Sequence, residues 1–101
     1  MTSAPALPLS SRAEVATASA SKYLQQLCKH FGHKVEATFD AHNGRVTFPM
    51  GTCELAASDA ALVMRLAAAD AQALERLKQV MASHLVRFAF REELTVTWSD
   101  G

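Results

Sequence analysis

The sequence predicts an α+β fold, a two-layer sandwich in which two helices cover one face of an antiparallel sheet. Three observations carry this. Apolar residues recur at helical spacing in two stretches, 20–31 and roughly 71–88. Between them the period drops to two over several short segments separated by turn residues. These segments are joined by links too short for the crossovers that parallel strands require.

The chain has 101 residues, half of them apolar, enough for one domain with a single core. Residues 1–11 carry Ser3, Pro5, Pro8, Ser10 and Ser11 among small side chains and are expected to form a disordered tail. Residues 12–99 are expected to form the domain. Arg12 to Thr17 alternates weakly, with Ala13 and Val15 on one side, and reads as an edge strand. Ser19 is placed to cap a helix over 20–31 whose stripe is Ala20, Leu24, Leu27 and Phe31, with Tyr23 and Cys28 on its flanks. Gly32 is expected to end it in the left-handed conformation.

Val35, Ala37 and Phe39 then alternate with polar residues. Asn43-Gly44 is a turn dipeptide, and Val46 and Phe48 resume the alternation. Pro49 and Gly51 interrupt the pattern before Cys53, Leu55 and Ala57. Ser58-Asp59 turns into Leu62, Met64 and Leu66. Asp70 caps a second helix with the stripe Leu74, Leu77, Met81, Leu85 and Phe88, and Leu94 to Trp98 reads as the last strand. The order is β-α-β-β-β-β-α-β. It is similar at the level of fold to the helix-grip, TATA-binding-protein-like arrangement, which can leave a cavity under a long helix, although fold by itself assigns no function.

Ten basic and ten acidic side chains cancel, so no charge excess drives binding to a nucleic acid, and none is expected as a partner. No apolar run reaches the ~20 residues of a membrane span, so no membrane association is expected. The start of the chain lacks a signal-peptide pattern, and two cysteines without an export signal are expected to be free thiols in the cytoplasm.

Candidate ligands cluster in Cys28-Lys29-His30-Phe31-Gly32-His33, with Cys53 in a strand and His84 on the second helix. At ~100° per residue Cys28 and His30 point ~160° apart, whereas His30 and His33 are only ~60° apart. The candidate metal set is therefore His30 and His33, which Cys53 or His84 from another element would have to complete, donors suited to iron, zinc or haem, although their spacing matches no named zinc pattern. His84 lies inside the apolar stripe of its helix, where an imidazole needs a polar partner. With Arg87 and Arg91 on the adjoining flank, His84 is the candidate for a ligand pocket whose mouth could take an anionic group. Ordinary explanations stand beside these: a satisfied core histidine, buried thiols acting as small hydrophobes, and surface ion pairs. No acid, base and nucleophile set can be placed, which favours binding over catalysis.

The segments Tyr23-Leu-Gln-Gln-Leu-Cys-Lys-His-Phe-Gly-His33, Phe48-Pro-Met-Gly-Thr-Cys53 and His84-Leu-Val-Arg-Phe-Ala-Phe-Arg-Glu92 together resemble the small bacterial family called domain of unknown function 2218. The resemblance runs from about Arg12 to Trp98. That family has no established activity, but its members occur beside, or joined to, siderophore-interacting flavoproteins. It thus implies an accessory or ligand-binding role in iron and siderophore metabolism, with such a flavoprotein as partner. The alternative is a protein-interaction module without a ligand, such as a homodimer pairing through an exposed sheet edge. The chain has no dinucleotide-binding glycine motif of its own.

Overall fold

The computed structural model describes residues 9–100. The elements are β1 (Leu9–Ala16), α1 (Ala20–Phe31), β2 (Glu36–Phe39), β3 (Asn43–Phe48), β4 (Gly51–Ala57), β5 (Ala61–Ala68), α2 (Ala71–Phe88) and β6 (Ser99–Asp100). The strands form one sheet in the order β2-β3-β4-β5-β1-β6, with antiparallel pairing throughout. This is the predicted two-layer sandwich. α1 lies over β2, β3, β4 and β5, α2 lies over β1, β4 and β5, and the two helices touch.

Register explains why one face closes and the other stays open. Ser11, Leu66, Cys53, Val46 and Ala37 line up across five strands, and Ala13, Met64, Leu55, Gly44 and Phe39 form the next row. These rows face the helices and are buried except near the β2 edge. The opposite face carries the row Arg12, Arg65, Glu54, Arg45 and Thr38, all exposed. Since side chains alternate along a strand, apolar stripes on both helices are satisfied by one sheet face and the other faces water. Leu24, Leu27, Cys28, Leu77, Met81 and Leu85 are fully buried against it.

Several local expectations are corrected. β1 begins at Leu9, so residues 9–11 of the expected tail are part of the sheet, where Ser11 is buried; the rest of that tail lies outside the described residues. Ser19 occupies the N-cap of α1 but makes no side-chain cap bond, and its own N–H donates to the Thr17 hydroxyl at 3.1 Å. Gly32 is right-handed, at φ −62° and ψ −14°. What favours a glycine there is space, since an added Cβ would lie 3.0 Å from the Cys28 carbonyl oxygen. Asp70, by contrast, caps α2 as its type predicts, accepting from the Ala73 N–H at 2.8 Å.

Asn43-Gly44 is not the hairpin turn. The loop is Ala41-His42, closed by an Asp40 N–H bond to the Asn43 carbonyl and by the Asp40 carboxylate, which accepts from the His42 and Asn43 N–H groups. Gly44 sits in β3 because α1 comes so close that a Cβ there would lie 2.7 Å from Cys28 Sγ. Gly51 opens β4 where an added Cβ would run into the Ala67 carbonyl oxygen of β5 and lie 2.8 Å from Leu77 of α2. Pro49-Met50 forms the loop of a tight hairpin, because Phe48 pairs with Gly51.

The expected last strand at Leu94 to Trp98 is also displaced. Leu94, Val96 and Trp98 alternate toward the core and are partly buried, but the chain joins the sheet only at Ser99 and Asp100, opposite Arg12 and Ser11. Alternation reports which side chains face a core and is silent on whether the backbone pairs. Phe88 is likewise half-buried, and Phe39, expected inside, is 38% exposed because β2 is an edge.

The two close approaches predict an order of damage. Gly44→Ala meets a thiol at the end of a side chain and should cost about 1–3 kcal/mol, part of it recovered when Cys28→Ala is added. Gly51→Ala meets backbone and should cost more. Denaturant melts of the three variants check this, and equal costs for both glycines would show that the β5 backbone at Gly51 yields as readily as the Cys28 thiol at Gly44.

Candidate functional site

The last turn of α1 and the last turns of α2 bring together residues that are 54 positions apart, His30 and His84, with ring centroids 4.9 Å apart. The helices set this up from their apolar stripes. Phe31, buried at the end of α1, packs edge-on against Phe48 of β3 at 5.1 Å and lies 4.9 Å from the His84 ring. Phe88, one turn beyond His84, stands 5.6 Å from His30 and 6.5 Å from His84.

His84 is partly buried, and its Nδ1 lies 2.6 Å from the Val80 carbonyl oxygen. A carbonyl can only accept, so Nδ1 carries the proton and Nε2 is left to face the cluster. The polar partner demanded by the sequence is thus supplied by His84's own helix. Where a pocket beneath α2 was expected, Phe31 and Phe88 pack against the ring. The described clefts lie elsewhere: on the uncovered sheet face, along the β2–β3 hairpin, and at the start of α2.

Electrostatics single out His30. Its pKa is held below the ordinary imidazole value, first by desolvation and then by His84, Lys34, His33 and Arg87. Each of these charged neighbours is a base. Folding therefore disfavours the imidazolium here, and acidification through the imidazole range lowers stability through this group. The negative ends of both helix dipoles fall in the same region, with Lys29 and His30 in the last turn of α1 and Arg87 in that of α2, and they partly offset the repulsion. His30 is itself exposed, as are His33 and Arg87. Arg91 stands over the ring of Phe90, 5.4 Å from its centroid, and is not among the groups acting on His30.

The proposed metal set does not assemble. Among the described residues no group of three or more His, Cys, Asp or Glu side chains converges to hold an ion. Cys53 is fully buried on β4, and the charges acting on it belong to Cys28 and Glu54. Both thiols are free. Burial pushes Cys28 up to about 11 and pushes Cys53 up as well, so neither offers the thiolate that metal binding or nucleophilic attack requires. They fill space between α1 and the sheet.

One polar constellation escaped the sequence reading. Just after α2, Glu92 accepts from the Thr17 hydroxyl at 3.0 Å and from the Tyr23 phenol. It ties the β1–α1 link, α1 and the C-terminal segment together across much of the chain. The only available signal was Tyr23 on the flank of the α1 stripe, since a buried phenol needs an acceptor, but nothing in the sequence says which. A second tie is Lys78 of α2, which bridges Glu75 at 2.7 Å and Asp100 of β6 at 2.8 Å.

Comparison with known proteins places the chain. Residues 12–99 match the family model described as an uncharacterized protein conserved in bacteria, DUF2218. No curated protein matches. Among solved structures, the NMR structure of PA4090 from Pseudomonas aeruginosa is 36% identical, covers 90% of this chain and 95% of that one, and superposes with a TM-score of 0.78.

The Glu92 clamp carries a prediction with a definite sign. The pKa of Tyr23 is raised, first by its bond to Glu92 and then by burial, so the folded protein holds the phenol proton more tightly than the unfolded chain. That contribution is complete below about pH 10 and is lost as pH rises through the folded value. Tyr23→Phe should therefore cost about 1.5–3 kcal/mol at neutral pH and flatten the loss of stability at alkaline pH. Urea melts between neutral and alkaline pH measure both, and an alkaline limb unchanged by the substitution would exclude Tyr23 as its source.

Proposed function

Because the chain belongs to the DUF2218 family of uncharacterised bacterial proteins, we propose that it is a small non-enzymatic binding protein of iron handling. Its site would be the basic cluster at the ends of α1 and α2, and its ligand an anionic ferric chelate of the siderophore class. The observation that supports the reading is His30, whose charged neighbours His84, Lys34, His33 and Arg87 are all basic. Basic side chains gathered at two helix ends, in a chain of zero net charge, are a setting that an anion would complete.

The chemistry suits a chelate better than a bare ion. The metal remains in the chelator's own donor set, so the protein needs no first-sphere ligands. The imidazoles and the Phe88 ring offer flat faces for aromatic chelator groups, and Arg87 offers a planar fork for peripheral oxygens. Reduction of the iron would fall to the siderophore-interacting flavoprotein proposed as partner, and this chain would supply recognition alone. The iron part of the reading rests on the sequence resemblance, and the reducing cytoplasm is the proposed setting, in keeping with two free thiols.

Binding of an anion favours the protonated imidazoles, so affinity should rise as pH falls from about 8 to about 6. Arg87→Gln, on the exposed rim, should weaken binding about tenfold, equivalent to ~1.4 kcal/mol. Calorimetric titration with a ferric tris-catecholate, its iron-free chelator and inorganic phosphate tests both statements. Equal binding of phosphate would remove the siderophore reading and keep the anion site. Absence of binding by all three would remove both.

A further inference from the structure

The sheet ends in two unlike edges. β6 has two residues and is held by Lys78 on Asp100 and by the Ser11 hydroxyl on the Ser99 carbonyl. β2 has four residues without proline and leaves Phe39 38% exposed. A bare edge of this kind is a template for another strand. We propose that β2 is a homodimer edge, pairing antiparallel with β2 of a second copy so that Ala37 faces Ala37 of that copy across a twofold axis.

The register follows from which backbone groups are free. In the β2–β3 hairpin Asp40 bonds to Asn43 across the loop, so Asp40 and Asn43 are a hydrogen-bonded pair. In an antiparallel ladder such pairs alternate with unbonded ones. Thr38 with Arg45 and Glu36 with Thr47 therefore bond toward β3, while Ala37, facing Val46, and Phe39, facing Gly44, turn their N–H and C=O groups to the outer edge. The Val35 N–H is already spent on the Phe31 carbonyl, at 2.9 Å, but the Val35 carbonyl can still accept.

Pairing Ala37 with Ala37 uses these groups and no others. The two Ala37 residues exchange N–H and C=O bonds, and each Phe39 N–H donates to the other copy's Val35 carbonyl. The side chains agree with the same register. On the helix-side face, Val35 of one copy meets Phe39 of the other, a β-branched and aromatic pair that covers an exposed ring. On the outer face Glu36 meets Thr38, and Lys34 in the turn before β2 and Asp40 in the loop after it bring opposite charges to the two ends of the paired strands. The strand is therefore complementary to itself, and that selects a second copy over an unrelated peptide. Such an edge contact is small beside the ~1,600 Å² of a standard interface, so the dimer is weak and forms with rising concentration.

The register can be read directly. In this pairing Glu36 and Thr38 of opposite copies form an unbonded pair with Cα atoms ~4.5 Å apart, within the ~4.4–6.8 Å that a disulfide spans. The full chain carrying both Glu36→Cys and Thr38→Cys should form disulfide-linked dimers under mild oxidation, whereas either substitution alone should form few. Both positions are exposed, and the native thiols are buried. Ala37→Pro removes an outward N–H without touching the β2–β3 ladder and should abolish concentration-dependent dimerisation in sedimentation. Asp40→Asn, which keeps the loop acceptor but loses the charge, should weaken it. A chain that stays monomeric to millimolar concentration overturns the proposal. So does a dimer that neither cross-links through 36 and 38 nor responds to Ala37→Pro.

Discussion

The seating of α1 on β3 is the contact from which most of the structure follows. Cys28 and Leu24 descend onto Gly44, a position where a single methyl group would collide with the thiol. That close approach fixes the height and rotation of α1. Three residues after Cys28, Phe31 then falls against Phe48 and meets His84 of the other helix. His30 has no choice but to stand beside His84. The placement of the basic cluster is thus a consequence of core packing, although His30 itself is exposed above it.

The same contact explains which parts of the fold were legible in the sequence. Helix and strand periods survive translation into structure because burial enforces them, so the order of elements and most of the core could be read directly. Gly44 suggests a turn by propensity, and Gly32 a positive φ. Both are present for lack of a side chain, Gly32 because of its own helix's Cys28 carbonyl and Gly44 because of a helix far away in the sequence. Leu94 to Trp98 kept its alternation but not its pairing, because Glu92 is anchored on Thr17 and Tyr23 before the chain reaches β6. Long-range polar anchors of this kind leave no periodic trace.

The candidate site shows a similar division. The importance of His30 and His84 was visible from spacing and from the misfit of an imidazole in an apolar stripe. Their meeting was not, since it depends on how two helices cross. Cys53 was grouped with the histidines because thiols and imidazoles share metals, but the strand register turns it toward Cys28 in the dry interior. Burial then removes the ionisation that would make it a ligand.

Charge distribution gives the strongest physical argument that the cluster is more than a by-product. A chain with equal numbers of acids and bases can neutralise itself locally, and this one does so on its open sheet face, where Arg45 pairs with Glu54 and Arg12 with Glu14. Lys78 bridges two carboxylates. At the helix ends the pattern breaks: the charges acting on His30 are all of its own sign, and desolvation adds to the cost of protonating it. Helix dipoles soften that cost, but they act within about one turn and carry only ~0.5 of an elementary charge at each end. The anion site proposed above rests on that contrast, since an anion would relieve a cluster that resists its own protonation in a protein that elsewhere pairs its charges.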